Sequence, residues 1–146
     1  MSLFNDYIKA VWAKLNATTG LVGLVHEILE NDQAFPKIWI EDGGADDWST
    51  KYENGIDASV VLHIGSRYEG TKEIRGLMDK CHAALHNQDL TLESGQSVLC
   101  QFDRHDMVID SDGVTRHGVM RFRLLISADS YFLLLEDGSR LVLEAA

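Results

Sequence analysis

Proline, cysteine and basic residues are all scarce in this chain of 146 residues. It contains one proline, two cysteines, and 13 lysines and arginines against 23 acidic residues, so its formal net charge at pH 7 is −10. Proteins bind phosphate backbones through clustered lysine and arginine, which an acidic chain of this kind does not supply. We therefore expect no specific nucleic-acid binding.

Long apolar runs and targeting signals are also missing. No stretch of about 18 consecutive apolar residues occurs, so the sequence predicts no membrane-spanning helix and no membrane partner. Residues 1–6 lack the basic start and apolar core of a signal peptide, which predicts that the protein is made and used in the cytoplasm. Cys81 and Cys100 stand in apolar-periodic segments without C-x-x-C spacing, so we expect reduced thiols in the core.

The motifs that usually carry catalysis are absent. There is no G-x-G-x-x-G, no G-x-x-x-x-G-K-[ST] and no G-x-S-x-G, so the common phosphate-binding loops and the nucleophile elbow are missing. His82 and His86 are one helical turn apart, as in H-E-x-x-H, but Ala83 stands where the general base would be. Two exposed histidines on the polar face of a helix explain this pair. The sequence predicts no catalytic residue, no cofactor and no metal ligand, and hence no enzyme.

Three further patterns leave weaker alternatives open. Asp103 and His105 alternate along a predicted strand, so with the histidine pair they could form the site of a small metal-assisted hydrolase. Residues 110–113 begin like a calcium loop but lack its closing glutamate, and a tight turn explains them. Residues 65–70 could bind an anion at a helix start, or simply connect a strand to a helix.

Hydrophobic periodicity predicts two helices and three longer strands. Apolar residues at helical spacing indicate helices over 3–15 and 71–87. Strict alternation indicates a strand with one buried face over 56–64. Two further runs, 98–109 and 116–126, flank a turn and predict an antiparallel hairpin. The apolar stripe predicted for the first helix consists of Phe4, Ile8, Val11, Trp12 and Leu15.

The segments between the first helix and the 56–64 strand are short. Residues 21–25 form an apolar turn that could be a short helix, and Pro36 leads into a predicted strand over 37–40. The 41–48 segment concentrates four acids and two glycines, which favours a mobile, solvated loop.

Residues 128–146 differ from the rest of the chain. Two apolar runs, 131–135 and 140–143, bracket an Asp-Gly turn, which predicts a β-hairpin. Because this ribbon is apolar on both faces, it must pack on its own domain or add to the sheet of a neighbour, and the sequence favours neither. We therefore divide the chain into a domain over 1–127 and a C-terminal hairpin extension over 128–146.

Taken in order, these segments resemble the tail-completion or tail-terminator proteins of long-tailed bacteriophages and gene transfer particles. The resemblance covers residues 3–127 and lies in the order and spacing of the first helix, the 19–25 segment, the proline-led strand, the 56–64 strand, the second helix and the closing hairpin. It implies an α+β fold with a mostly antiparallel sheet and two main helices packed on one face. It also implies a non-enzymatic protein of the virion tail or neck.

The resemblance further implies a ring, usually hexameric, that caps the tail tube and docks to the head connector. Its partners would be copies of itself, the tail-tube protein, the head-connector or stopper protein, and double-stranded DNA passing through the lumen without specific binding. Six copies at −10 each would give a ring of about −60, and acidic residues lining the lumen would repel DNA phosphates.

Aromatic, acidic and apolar residues in two segments are the candidate contact residues. Exposure of the large rings of tryptophan and tyrosine to water is unfavourable. Those near the acidic segment are therefore expected to be anchors, either in the core or at an interface. The candidates are Trp39, Asp46, Asp47, Trp48, Tyr52, Tyr131, Phe132, Leu134, Leu141 and Leu143. The alternative function is that of an acidic, non-catalytic adaptor or immunity-type protein that covers a basic partner.

Overall fold

The computed structural model describes residues 3–26 and 34–127. Its elements are two helices and a six-stranded mixed sheet, which is compatible with the α+β class that the sequence predicts. They are α1 (Leu3–Asn16), β1 (Val25–His26), β2 (Lys37–Asp47), β3 (Gly55–Ser66), α2 (Lys72–Leu85), β4 (Gln88–Thr91), β5 (Ser97–Ile109) and β6 (Arg116–Ser127). The predicted hairpin, and its division from the domain, lie outside the described residues.

A single six-stranded mixed sheet organises the described residues. Its strand order is β1-β2-β3-β6-β5-β4; β1 pairs in parallel with β2, and the other neighbours are antiparallel. At the centre, β3 and β6 pair without a break from Gly55 opposite Ser127 to Ser66 opposite Arg116. The predicted hairpin of β5 and β6 is confirmed.

Ser127, the last described residue, has a hydrogen-bonded partner on each side of its strand. Ser127 pairs with Gly55 in the ladder. Its backbone N–H donates to Oε1 of Gln96 at 2.9 Å, and its carbonyl accepts from Nε2 of the same side chain at 2.8 Å. The amide of Gln96 therefore replaces a neighbouring backbone at the end of β6.

The sheet has a core face and an outer face, set by strand alternation. Ile38, Leu62 and Met120 are buried on the core face. Trp39 and His63, which lie opposite each other in the ladder, stand on the outer face. The predicted alternation in β3 is confirmed, because its even-numbered apolar residues from 58 to 64 are all buried.

The second helix follows the sequence prediction closely, whereas the first is rotated. All five apolar residues predicted for α2 are buried: Ile74, Leu77, Met78, Cys81 and Leu85. In α1, Phe4 and Trp12 are exposed at 59% and 38%, so the predicted stripe is wrong at these two positions. Tyr7 is buried in the core instead, and its hydroxyl donates to the carboxylate oxygens of Asp42 at 3.0 and 3.1 Å. Neither described helix is long and apolar enough to cross a membrane.

The acidic 41–48 segment is not a loop, which corrects the sequence prediction. Residues up to Asp47 continue β2, and its register against β3 shifts between Asp42 and Ala45. Gly43 and Gly44 supply this bulge: Gly44 has φ +91°, and a Cβ at Gly43 would lie 2.9 Å from that of Ser59. Pairing with β3 outweighs the composition, since the acidic side chains remain in solvent.

The sequence does not predict the two short strands, β1 and β4. Residues 21–24 form turns and not a helix, and Val25 enters β1. The carbonyl of Leu24 accepts a hydrogen bond from the N–H of Ile38 at 2.9 Å, which fixes the start of the parallel pair. The four residues of β4 are too few for periodicity to show, and Leu90 alone among them is buried.

Candidate functional site

The sheet ends in an incompletely covered strand on each side. On one side, the two-residue β1 pairs with β2 at Ile38 and Trp39. From residue 40 to Asp47, no strand among the described residues lies on that side of β2. We call residues 40–47 the β2 edge.

On the other side, β4 covers the first part of β5. It pairs with Ser97–Cys100, and Nδ1 of His86 then accepts a hydrogen bond from the N–H of Phe102 at 3.1 Å. Beyond this point, no strand within residues 3–26 and 34–127 pairs with that side of Arg104–Ile109, which we call the β5 edge. Unpaired edges template the addition of another strand, so both edges are candidate docking surfaces.

Asp46 and Asp47, two predicted contact residues, are exposed on the β2 edge. Asp46 stands opposite Asp57 and Asp47 opposite Ile56, so strand alternation directs the two carboxylates to opposite faces of the sheet. Asp47 accepts a hydrogen bond from the hydroxyl of Ser49 at 2.6 Å. Asp46 has no side-chain partner in the described part of the chain. The β2 edge therefore presents a carboxylate on each face.

The two candidate tryptophans are anchored in the sheet. Trp39 stacks on His63, with 5.1 Å between ring centroids and 9° between ring planes. Trp48 donates its indole N–H to the carbonyl of Ile56 at 2.7 Å, and its ring lies over Gly55. Both side chains are half-buried, so each stabilises the sheet while keeping part of its ring at the surface.

The remaining candidate contact residues differ in what the structure says of them. Tyr52, in the connection between β2 and β3, is 87% exposed. Five others lie outside the described residues: Tyr131, Phe132, Leu134, Leu141 and Leu143. A role in contacts stays a prediction for all ten.

A row of titratable side chains crosses the outer face beside Trp39. The carboxylate of Glu41 bonds Nε2 of His63, whose Nδ1 lies 2.8 Å from Nε2 of His117. On the far side, Nδ1 of His117 lies 3.9 Å from the carboxylate of Asp110. Burial, followed by the charge of His63, lowers the pKa of His117, although Asp110 opposes this. The row therefore links β2, β3 and β6 through imidazoles, of which His117 favours the neutral form.

The structure contradicts the expectation that Asp103 and His105 share one face. A bulge between Phe102 and Arg104 breaks the alternation of β5. As a result, His105 stands opposite the buried Met120 on the core face, while Asp103 lines a hollow on the outer face. Among the described residues, no group of three or more His, Cys, Asp or Glu side chains is placed to hold a metal ion.

The histidine pair of α2 is half-buried, not exposed as predicted. The ring centroid of His82 lies 5.1 Å from that of Phe102 and 4.6 Å from that of His86. His86 also accepts the N–H of Phe102, so its place on the helix serves to end the pairing of β5 with β4. These contacts give both histidines a structural role.

Two hollows flank the β5 edge, one on each face of the sheet. The outer hollow has a volume of about 360 Å³ and is lined by Asp103, Arg104, Asp106, Val119 and Arg121. The core-face hollow, between α2 and β5, has a volume of about 410 Å³ and is lined by Arg75, Met78, Asp79, His82, Phe102, His105 and Met120. Both therefore place cationic or protonatable groups beside the β5 edge.

Of the two arginines in the outer hollow, Arg121 is the one without an ion-pair partner among the described residues. Arg104 pairs with Asp106 at 2.7 Å, whereas Arg121 makes no hydrogen bond or ion pair with any described residue. Sequence reasoning missed Arg121 as a site residue, although it stands on the polar side of the alternating β6 segment. The missing information was the strand order, which brings β6 next to an open edge.

Two loop predictions are confirmed. The Asp110–Gly113 turn is closed by the Gly113 N–H, which donates to the Asp110 carbonyl at 2.9 Å. Within it, the hydroxyl of Thr115, with two backbone N–H groups, lowers the pKa of Asp112 to about 2. The connection between β3 and α2 follows Ser66, whose hydroxyl donates to Glu73 at 2.7 Å. A carboxylate thus occupies the helix start where an anion could have bound.

Comparisons with known proteins agree on one group. The family described as tail completion protein gp17 matches residues 8–127. The tail completion protein gp17 of Bacillus phage SPP1 is 25% identical over 124 residues, which cover 82% of this chain and 90% of that protein. A solved chain from the virion of a native gene transfer agent particle has a TM-score of 0.73 at 19% identity, covering 84% of this chain and 96% of that one. This structural match shows that the two chains share a fold.

Proposed function

Since the chain belongs to the tail completion protein gp17 family, we propose that it closes the finished tail of a phage-type particle as a structural ring. Family membership makes it a structural component of the virion tail or neck. The match carries this proposal because it spans most of the described fold, from α1 to the end of β6.

The two open edges support the ring. They lie at opposite sides of the sheet and differ in sequence, so one copy can join the next through two different surfaces. A contact of this head-to-tail kind continues from copy to copy and closes into a ring when the rotation divides evenly into a circle. We propose six copies, which stack side by side around a central opening.

In this position the ring caps the tail tube on one side and docks the head connector on the other. Double-stranded DNA passes through the opening without being bound, because the net charge of −10 per copy repels phosphates at short range. The protein works through its shape and its contacts, without a chemical reaction. Residues 128–146, which follow the family match, are proposed as a hairpin extension whose apolar runs supply a further contact.

Electron microscopy of the purified chain mixed with the tail-tube protein of the same particle tests this function. We expect a collar at one end of each tube, and native mass spectrometry should give six copies. A variant that ends at Ser127 shows whether the extension is needed for the collar. Tube ends without a collar, or a chain that stays monomeric on the tube, would contradict the proposal.

A further inference from the structure

We propose that the ring contact is formed by the β2 edge of one copy and the β5 edge of the next, and that charge selects this pairing. The inference deepens the ring of the proposed function and rests on it. The occupant of each edge is thus the opposite edge of a second copy of this chain.

The two edges are comparable in length and similar in construction. The β2 edge spans residues 40–47 and the β5 edge Arg104–Ile109, so at a rise of about 3.3 Å per residue they extend over about 26 Å and about 20 Å. Each edge strand also carries a bulge, at Gly43–Gly44 in β2 and at Asp103 in β5. Bulges twist a strand edge and oppose flat pairing with arbitrary strands, so the match between the two edges is selective.

Charge is complementary on both faces of the sheet. Asp46 lies on the face that carries Arg104 and Arg121, because Asp57 and Arg121 both stand on that face of the central ladder. When the two edges pair in one continuous sheet, Asp46 of one copy thus approaches the outer hollow of the next. There Arg121 is the cation without a described partner, since Arg104 already pairs with Asp106.

Asp47 makes the equivalent approach on the core face. It stands on the side of Ile56, which packs against the core. The core-face hollow of the next copy presents Arg75, His82 and His105, with Asp79 beside them, around an apolar floor. A carboxylate on each face of one edge therefore meets a cationic or protonatable group on each face of the other.

Pairing of two β2 edges is disfavoured by the same charges. It would bring together two strands that each carry Glu41, Asp42, Asp46 and Asp47, and like charges across a sheet are destabilising. Complementary charges therefore favour the head-to-tail contact over a two-fold dimer, and the head-to-tail contact is the one that builds a ring.

Two charge-reversed variants test the pairing. Asp46→Lys/Asp47→Lys reverses the β2 edge on both faces, and Arg75→Glu/Arg121→Glu reverses one cation on each face beside the β5 edge. Each alone should weaken self-association by about tenfold or more, because two opposite-charge contacts become repulsive. A matched control, Glu53→Lys/Glu69→Lys, changes the net charge as much as the first variant at exposed positions off both edges and should associate like the wild type.

The decisive sample is an equal mixture of the two reversed variants. In a ring that alternates between them, every β2 edge faces a β5 edge of opposite charge, so association should return to within about threefold of the wild type. Native mass spectrometry should then count equal numbers of the two variants in each ring. Circular dichroism verifies that each variant is folded before it is mixed.

The outcomes separate this inference from the proposed function. If either variant alone assembles like the wild type, or if the mixture assembles no better than its components, the pairing of these edges is wrong, while a wild-type collar on the tail tube would still stand. If the wild type itself forms no ring on its tube, the proposed function fails and the edge pairing fails with it.

Discussion

Replacing Gly55 with alanine tests how Trp48 is seated at the start of β3. A Cβ built on Gly55 lies 2.6 Å from Cδ2 of the indole and still closer to two other ring carbons. The ring must therefore move, and the movement breaks the 2.7 Å hydrogen bond from its N–H to the carbonyl of Ile56. Gly55 has no positive φ, so the added methyl group acts through the collision alone.

The expected loss follows from two terms. Overpacking costs about 1–3 kcal/mol and a lost hydrogen bond about 0.5–1.5 kcal/mol, so the free energy of unfolding should fall by about 2–4 kcal/mol. For a chain of this length, that lowers Tm by about 4–16 °C in thermal denaturation followed by circular dichroism. Trp48 fluorescence should also shift as the indole leaves its site.

A double-mutant cycle and a control identify the cause. In a Trp48→Ala background the collision is gone, so Gly55→Ala should cost less than about 0.5 kcal/mol. Gly76→Ala, in the interior of α2 with no described atom within 4 Å of the new Cβ, should instead stabilise by about 0.5–1 kcal/mol. An equal cost of Gly55→Ala in both backgrounds would refute the steric reasoning.

Three further predictions concern the core and the imidazole row. Burial raises the pKa of Cys81 and of Cys100 to about 12, so a thiol reagent at mildly alkaline pH should modify both in denaturant and neither in the folded chain. Because folding lowers the pKa of His117, the unfolded chain binds the proton first as pH falls through about 6.5, and the free energy of unfolding should decrease there. His117→Gln should flatten this pH dependence, measured by urea denaturation at several pH values. An unchanged dependence would exclude His117 as its source. Phe122 is fully buried on the central strand, so Phe122→Ala should lower the free energy of unfolding by about 3–5 kcal/mol in urea, and a loss under 1 kcal/mol would mean that the site collapses around the cavity.

Periodicity predicted those elements whose burial is decided locally. The five buried positions of α2 follow helical spacing, and β3 alternates as expected, because each buries one continuous face against the core. The stripe predicted for α1 is wrong at two positions because the partner of the Tyr7 hydroxyl, Asp42, lies 35 residues away in sequence. The loop predicted for the acidic half of β2 is wrong for a similar reason, since its strand geometry comes from pairing with β3 and not from its own composition.

The sequence indicates some residues of the candidate site but not their arrangement. Charge indicates Asp46 and Asp47 as contact residues, and both are exposed on an open strand. That the strand is open depends on the strand order, which places short β1 and β4 at the two ends of the sheet. The opposing cation, Arg121, could not be recognised from sequence because β6 reaches the β5 edge only through that order. The bulge at Asp103 places Asp103 and His105 on opposite faces of the sheet, and the alternation of residue types gives no sign of it.

The hydrogen bonds that hold Ser127 determine how the molecule responds to tension. The chain continues towards its carboxyl end from β6, which has a hydrogen-bonded neighbour on each side and the Gln96 amide across its last residue. A pull on the following residues acts along the axis of this central strand. The bonds on both flanks then bear it in shear and must rupture together, whereas an edge strand would unzip one bond at a time. A force applied to residues 128–146 therefore has to break both ladders of β6 together before the sheet comes apart.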